Sequence, residues 1–113
     1  MIAISTGIPV KSLDALTSTN DTSGTKFAVA FKTGPSLGRT VTWQTVFDGS
    51  PSVASYQLQG ALNNVEAEYA ILDSSTATAG ELRTLSPVNV RFIRVRQVTR
   101  TGATSVTATV MAS

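Results

Sequence analysis

The side chains that could do chemistry in this chain are few, and the most versatile types are missing. The sequence contains no histidine and no cysteine, which removes the usual general base, the commonest metal ligand and the thiolate nucleophile. Serine and threonine are plentiful, but a hydroxyl needs a neighbouring base before it can attack a substrate. Lys11, Lys26 and Lys32 could supply that base only in a Ser–Lys pair, and no spacing indicates one. We therefore expect no nucleophilic enzyme.

Two carboxylates lie close enough in sequence to suggest glycoside hydrolysis, which uses a pair of acidic side chains. Glu66 and Glu68 are two positions apart, so on a strand they share one face, opposite Tyr69. That face is expected to be the solvent side, where surface carboxylates or salt-bridge partners explain the pair better than catalysis does. Turn chemistry likewise explains Asp48-Gly49 and Asn63-Asn64 without a calcium ion. The sequence predicts no enzyme, no cofactor and no bound metal.

Arginines cluster in the last third of the chain, at Arg94, Arg96 and Arg100. A nucleic-acid site would usually add exposed aromatic residues or a broader field of lysines, and the formal net charge is only +2. Arginine is also common at protein interfaces, where its planar fork pairs with carboxylates. Two interpretations stay open: an acidic protein partner, or cross-strand pairs with Glu66 and Glu68. Nucleic acid is not expected as a partner.

Length and composition fit one ordinary globular domain. The chain has 113 residues, of which 42% are hydrophobic and 14% charged, and this size is near the commonest for a domain. The sequence pI of about 9.4 comes from a small surplus among few charges. No apolar run approaches the roughly 18 residues that a membrane helix needs. The N-terminal stretch has no basic residue before its apolar part, so we expect neither a membrane location nor a cleaved secretion signal.

Alternation of apolar and polar residues is the recurring pattern, and it indicates β-strands. Turn residues such as Gly, Pro, Asn and Asp separate the alternating segments at intervals of about 12 to 15 residues, which is typical of a β-sandwich or barrel. Trp43, Phe47 and Tyr69 are expected in its core. The predicted strands are 26–32, 41–47, 55–59, 66–71, 90–98 and 106–110.

Three local features carry their own expectations. The alternation fails at Phe92-Ile93, where we predict a β-bulge in preference to a strand that is apolar on both faces. Ser12 could cap a short helical turn over 13–16, and 79–85 could hold another. These are the only helical candidates in an otherwise all-β sequence.

The first 25 residues form a Ser/Thr-rich leader before the first firm strand. Either it is an extra edge strand with a loop, or it is an extended arm that lies on an adjacent subunit. We therefore predict an arm or edge strand at 1–25 and a single β-sandwich domain at 26–113. The residues expected to bind a partner come from this leader and from the arginine cluster: Ile4, Ile8, Val10, Arg94, Arg96 and Arg100.

Four segments resemble the small β-sandwich proteins that decorate the capsids or sit in the tails of tailed bacteriophages. The matching segments are 42–51 (TWQTVFDGSP), 56–64 (YQLQGALNN), 90–96 (VRFIRVR) and 105–110 (SVTATV). The resemblance implies an all-β fold: an antiparallel β-sandwich, jelly-roll-like, with an extended N-terminal arm. It spans about two-thirds of the chain and is an analogy at the level of the fold.

The resemblance also implies a function. It is that of a non-enzymatic virion structural protein, made in the host cytoplasm, that binds and stabilises the capsid shell as a decoration or cement protein. Its partners would be the major capsid protein or other virion subunits. A homo-oligomer is expected, with a trimer favoured, because several weak contacts then act together.

An alternative function stays open. The segment 56–64 is also similar to the pattern of galactose-binding-like jelly rolls, which implies a carbohydrate-binding module of a tail adhesin or a glycan-degrading enzyme. Exposed aromatic residues beside a cleft would favour sugar binding. Buried aromatics together with a flat, threonine-rich or apolar face would favour assembly into a larger particle.

Overall fold

A computed structural model describes residues 2–4, 7–29 and 39–113 of the chain. These residues form ten β-strands and one 3₁₀ turn. In chain order the elements are β1 (Ile2–Ile4), β2 (Val10–Leu16), β3 (Thr22–Ser23), β4 (Phe27–Val29), β5 (Arg39–Asp48), β6 (Pro51–Ala61), the 3₁₀ turn η1 (Glu66–Glu68), β7 (Ala70–Ser75), β8 (Glu81–Val88), β9 (Phe92–Gly102) and β10 (Ser105–Ala112).

The strands form two sheets that pack face to face, so the predicted all-β antiparallel sandwich is confirmed. One sheet has the order β1-β4-β9-β6-β7, with β3 paired to β9, and the other has the order β2-β10-β5-β8. Every pairing is antiparallel except that of β1 with β4. When the short β1 and β3 are left out, each sheet has four strands, in the orders β4-β9-β6-β7 and β2-β10-β5-β8. This is the strand order of an eight-stranded jelly roll.

The core lies between the sheets and follows from the alternation seen in the sequence. On β5 the side chains of Val41, Trp43 and Thr45 are buried, and those between them reach the outer surface. Trp43 is the largest fully buried side chain and only 1% of it is exposed. Burial of these apolar surfaces is the main force that holds the sheets together. The core residues with no exposed surface at all are Val41, Leu58, Ile93, Val95, Val106, Ala108 and Val110.

The predicted core position of Tyr69 is wrong, whereas Trp43 is in the core and Phe47 packs against it. The rings of Phe47 and Tyr56 have centroids 5.7 Å apart, a favourable distance for an aromatic pair. The buried Tyr56 hydroxyl donates a hydrogen bond of 2.7 Å to Gln97 Oε1, and burial raises the pKa of Tyr56 to about 12. Tyr69 instead lies half-buried outside the sandwich, over Arg94.

A polar network closes the sandwich on the side where β7 and β8 form the sheet edges. Asp73 accepts hydrogen bonds from Trp43 Nε1 at 3.0 Å and from Arg83 Nε at 2.7 Å. Ser75 donates to Glu81 across the same gap, at 2.7 Å. Burial alone would raise the pKa of Asp73, but the hydrogen bonds from Arg83 and Trp43 hold that pKa below its ordinary value. The network thus keeps a charged carboxylate at the rim of the core.

Both predicted helical turns are wrong. Residues 13–16 belong to β2 and most of 79–85 belongs to β8. Ser12 is not a helix cap. It is a buried cross-link, because its hydroxyl donates to Thr25 O and accepts from Val95 N, both at 2.9 Å. Pairing with neighbouring strands therefore overrode the local helical signals.

The strand predicted over 66–71 begins later than expected, because Glu66–Glu68 is a 3₁₀ turn and β7 starts at Ala70. The bulge predicted at Phe92-Ile93 is wrong as well. Those residues pair regularly with β6, and the register of this pair shifts instead between Ser55 and Tyr56, opposite Val98. The predicted Asp48–Pro51 turn is present, and Gly49 has φ +100° there, a conformation suited to glycine.

Most of the leader belongs to the two sheets, because its strands pair with strands of both. Val10–Leu16 is an edge strand of the four-stranded sheet, beside β10. Residues 17–21 then cross over the end of the sandwich, and Thr22–Ser23 pairs with β9 of the other sheet. Residues 5, 6 and 30–38, which include the outer part of the predicted strand 26–32, lie outside the described residues.

Candidate functional site

The outer surface of the four-stranded sheet is a broad face dominated by uncharged side chains. We define the β-face as ten outward residues from the middle of its strands β5, β8 and β10, without Asp48 and Ser105 at the strand ends. The alternation that buries Trp43 and Val110 necessarily turns their neighbours outward. The members of the β-face are Thr40, Thr42, Gln44, Val46, Leu82, Thr84, Ser86, Thr107, Thr109 and Met111.

Hydroxyl groups of the β-face are largely satisfied within the chain. Thr42 and Thr84 join their hydroxyls at 3.0 Å across β5 and β8. Thr40 donates to Ser86 at 3.1 Å in the same pair of strands, and Thr107 accepts from the backbone N–H of Ala15 at 3.1 Å. Threonine hydroxyls paired in this way have fewer hydrogen bonds left to make with water. The surface is therefore less polar than its composition suggests.

Charges lie only at the borders of the β-face. Lys11 is on the edge strand β2 and Asp48 is at the end of β5. Lys11 lies 3.7 Å from Asp14 of its own strand, so its charge has a partner within the chain. The ten residues of the β-face are themselves uncharged. A partner that covers the β-face therefore does not have to remove water from a charged side chain of that face. The free-energy cost of desolvation stays low for this reason.

A groove of about 160 Å³ runs into the β-face. Its walls include Pro9, Leu82 and Met111, which come from three separate parts of the chain, together with Gln44 and Thr109. Two large apolar side chains stand prominently on the same surface: Leu82 is 63% exposed and Val46 is 52% exposed. Exposed apolar groups around a concave site are typical of protein and ligand contact surfaces.

The opposite outer face, on the six-stranded sheet, holds the Arg94 cluster. Arg94 Nη1 pairs with Glu66 at 2.7 Å and its Nε donates to Gln59 at 2.8 Å. The guanidinium carbon lies 4.2 Å from the centroid of the Tyr69 ring, and Lys26 pairs with the same Glu66 at 2.9 Å. Only 4% of Arg94 is exposed. Of the two interpretations for the arginines, the pair with Glu66 is present.

The charge of Glu66 ties η1 to the sheet, and this predicts a dependence of stability on pH. Hydrogen bonds from Arg94 and Lys26 lower the pKa of Glu66 from 4.5 to about 2. Because the folded pKa lies below the unfolded one, the stabilisation is present above pH 4.5 and is lost as pH falls from about 4.5 to 2. Glu66→Gln is expected to flatten this loss in urea-unfolding midpoints measured from pH 6 to 2.

The matched control for Glu66 is Glu68→Gln, which removes a carboxylate from the same turn. Glu68 accepts a hydrogen bond from Asn63 at 3.2 Å and lies in no ion pair among the described residues. Its substitution should leave the pH profile nearly unchanged. Equal profiles for the Glu66 variant and the unmodified chain would contradict the assignment.

The other two predicted arginines hold the crossover segment, residues 17–21. Arg96 forms an ion pair with Asp21, and its hydrogen bonds are the first cause of a lowered pKa for Asp21. Arg100 is only 2% exposed, and its Nη2 donates to the carbonyl oxygens of Thr17 and Ser18 at 2.9 and 3.0 Å. These guanidinium groups bind the protein's own backbone and carboxylates.

The six predicted partner-binding residues therefore lie in different places. Arg94 and Arg100 are inside the molecule and Arg96 is half-buried. Ile8 is 55% exposed and directly precedes Pro9 of the groove, Val10 packs partly against the core, and Ile4 belongs to β1. Of the five whose side chains the structure describes, Ile8 is the best placed for contact. Their role in binding a partner stays a prediction.

Sequence reasoning did not single out the β-face, although its signal was present. The segments 41–47 and 106–110 alternate apolar residues with threonines. That alternation identifies the buried side, and a flat, threonine-rich face is expected to favour assembly, but the pattern does not show which threonines form one face. What distinguishes them is that neighbouring strands place them together without a charge between them. That property depends on strand order, which the pattern alone does not specify.

Among residues 2–4, 7–29 and 39–113, no three acidic side chains come together as metal ligands would. Within the same ranges no helix is long and apolar enough to cross a membrane.

Comparison with known proteins supports the fold. No family model matches the sequence, and no curated protein matches it either. Among solved structures, the chain is similar to the SPBc2 prophage-derived protein YomS, with a TM-score of 0.64 and 15% sequence identity. The match covers 94% of this chain and 92% of YomS. At this identity the likeness establishes a common fold.

Two more solved structures share the fold. The PBSX exported protein XepA gives a TM-score of 0.61 at 17% identity, over 97% of this chain and 39% of XepA. The K3 cleaved adhesin domain of Lys-gingipain from Porphyromonas gingivalis w83 also gives 0.61, at 13% identity, over 93% of this chain and 71% of that domain. The chain thus has a β-sandwich fold shared with prophage-derived proteins and with an adhesin domain.

Proposed function

We propose that this chain is a non-enzymatic structural protein of a bacteriophage virion, which attaches to the capsid shell as a decoration protein through its β-face. The observation that carries this proposal is a surface of ten uncharged outward residues, most of whose hydroxyl groups are already hydrogen-bonded within the chain. Such a surface binds by buried area and shape, as protein interfaces do at their centres. It offers no group that would attack or activate a substrate.

Three of the four edge strands of the described sheets, β2, β7 and β8, are protected, which favours contact through a face. Strand β2 has two register shifts against β10, and β7 has one against β6. On β8 the charged side chains of Glu81 and Arg83 turn toward the sandwich, on the side opposite Leu82. Bulges and inward charges are devices that prevent a further strand from adding to an edge. Among the described strands, the β-face is the more accessible surface for a partner.

The structural likeness to prophage-derived YomS and to XepA of PBSX supports a phage context. Neither name refers to a capsid, so the shell as partner rests on the β-face and on the resemblance of the sequence to virion proteins. The partner is expected to be the major capsid protein or another virion subunit. A virion location follows from the same proposal.

A homo-oligomer, with a trimer favoured, is the second part of the proposal. Three copies bound to neighbouring shell subunits would act together, so that weak single contacts give firm attachment. Light scattering of the purified chain, alone and after mixing with expanded shells of the encoding phage, measures both the oligomer and the attachment. A monomer that ignores shells would contradict both parts.

Thr42→Asp is the sharpest substitution for testing the β-face. It places a charge at the centre of the proposed contact, between the uncharged Met111 and Thr84 of the flanking strands, on a residue with a half-buried side chain. Removing water from such a charge costs about 2–5 kcal/mol, so binding to shells should weaken by about 30-fold or more. Sedimentation of labelled protein with shells measures the affinity.

Thr101→Asp is the matched control for this test, because it makes the same change at an exposed position of β9, on the six-stranded sheet. Circular dichroism should show both variants folded. The control should bind shells as the unmodified chain does. Equal affinities of the two variants would assign the contact to another surface.

A carbohydrate-binding module is a second candidate, because the fold is shared with an adhesin domain. None of the aromatic residues that the structure describes has an exposed side chain, and a stacking platform for sugars normally needs one. Assembly is therefore the favoured function. Specific signals on a glycan array, together with no attachment to shells, would reverse this order.

A further inference from the structure

The groove in the β-face has the size and lining of a site for one apolar side chain. Its volume is about 160 Å³, close to the roughly 150 Å³ at which an apolar cavity in a protein accepts a benzene molecule. Pro9, Leu82 and Met111 contribute apolar walls, and Trp43 lies at the same site while almost fully buried. A phenyl or isobutyl group matches this space better than a whole ligand of drug size would.

The polar groups near the groove do not favour binding of a polar ligand. The hydroxyl of Thr42, at its margin, is already paired with that of Thr84 at 3.0 Å. Gln44 and Thr109 are the remaining polar side chains of the lining, and both are uncharged. Lys11 lies opposite Thr109 on β2, but its charge is already paired with Asp14 at 3.7 Å. A charged group placed in the groove would therefore lose its hydration without gaining an unpaired counter-charge, which is unfavourable. Charge matching therefore selects an uncharged occupant.

We propose that the groove is a socket for one large apolar side chain, the size of leucine or phenylalanine, that projects from an uncharged surface of a virion protein partner. This inference rests on the proposed function and names the chemistry of the partner surface. The socket supplies position and register, because one inserted side chain fixes where the two surfaces meet. The surrounding threonines of the β-face supply most of the buried contact area.

The first experiment uses the purified chain without shells. We expect N-acetyl-phenylalaninamide, titrated to millimolar concentration, to shift the NMR signals of the Gln44 side-chain amide and the Met111 methyl group. The α-amide of N-acetyl-aspartic acid, whose side-chain carboxylate is negatively charged, should leave these signals unchanged. Equal shifts with both compounds, or none with either, would overturn the socket.

The second experiment measures attachment to shells with two truncated side chains. Leu82→Ala removes a wall of the socket, and Val53→Ala shortens a side chain with comparable exposure (47%) on the other sheet. The Leu82 variant should bind about tenfold more weakly, as expected for the loss of part of a buried apolar contact. The Val53 variant should bind unchanged. Equal binding of both variants would overturn the socket.

The two experiments separate failure of the socket from failure of the proposed function. Selective shifts with the apolar probe, in a protein that binds no shells, would retain the socket and remove the capsid as partner. Shell binding without shifts and without an effect of Leu82→Ala would retain the capsid and remove the socket. Self-association abolished by Leu82→Ala would assign the socket to a second copy of the chain, against our proposal.

Discussion

Replacement of Trp43 by alanine will lower the free energy of unfolding by about 3–5 kcal/mol, the usual cost of deleting a large buried aromatic side chain. Trp43 is 1% exposed and is the largest fully buried side chain of the core. Domains of this size are typically stable by about 5–15 kcal/mol, so the variant is expected to be marginal at 37 °C. Unfolding in guanidinium chloride, followed by circular dichroism, measures the difference.

The Trp43→Phe variant separates packing from hydrogen bonding. It retains an aromatic ring but loses the 3.0 Å bond from Nε1 to Asp73. Asp73 would keep its bond from Arg83 Nε, so we expect only about 1–2 kcal/mol of destabilisation. A Trp43→Ala variant as stable as the unmodified chain would show that this part of the core is packed differently.

Replacement of Ser12 by alanine should destabilise the fold by about 2–3 kcal/mol, an unusually large effect for the loss of one hydroxyl. The hydroxyl holds three segments together, since it bonds to Thr25 O and to Val95 N while Ser12 itself belongs to β2. Without it, the buried N–H of Val95 loses an acceptor, and an unsatisfied buried donor costs more than an ordinary bond contributes. Urea unfolding measures the effect.

Ser23→Ala is the matched control for Ser12, because it removes an exposed hydroxyl from the neighbouring strand β3. Surface substitutions of this kind usually change stability by less than about 0.5 kcal/mol. If the two serine variants were equally stable, the Ser12 cross-link would contribute nothing measurable.

The sequence was sufficient for the fold class because its signals were local. In 41–47 the alternation predicts which side is buried, and the structure buries Val41 and Trp43 accordingly. Asp48-Gly49 predicts a turn, and Gly49 adopts a positive φ there, where the chain passes from one sheet to the other. The same reasoning holds for the last strand, where Val106 and Val110 are fully buried. These predictions needed no knowledge of strand order.

Predictions failed where partners distant in sequence decide the local structure. Ser12 has the features of a helix cap, but its acceptor and donor lie 13 and 83 positions away, and they hold it in a strand. Tyr69 was expected in the core by parity. Because Glu66–Glu68 forms a 3₁₀ turn, the parity of the following residues changed and the ring came to lie over Arg94.

The candidate site was the least predictable part of the molecule. A cluster of arginines suggested a surface contact, yet Arg94 and Arg100 are 4% and 2% exposed. Deletion of residues 1–20 is expected to destabilise the sandwich, because it removes β2 with its buried Leu13. Whether a polar residue faces a partner or its own backbone depends on which strands cover it, and local patterns do not contain that information.

The position of β10 has a consequence for how the chain folds. This strand lies between β2 and β5, and β9 likewise separates β4 from β6. Neither sheet can form its central strand pairings before β9 and β10 are available. The earlier strands alone therefore cannot form a stable part of the sandwich. Folding is then expected to be a single cooperative event with a rate in the range of about milliseconds to seconds that is typical of sandwiches dominated by distant contacts. During synthesis the apolar residues of β5 would remain unprotected until β10 had emerged, which makes this interval the period of greatest exposure to aggregation.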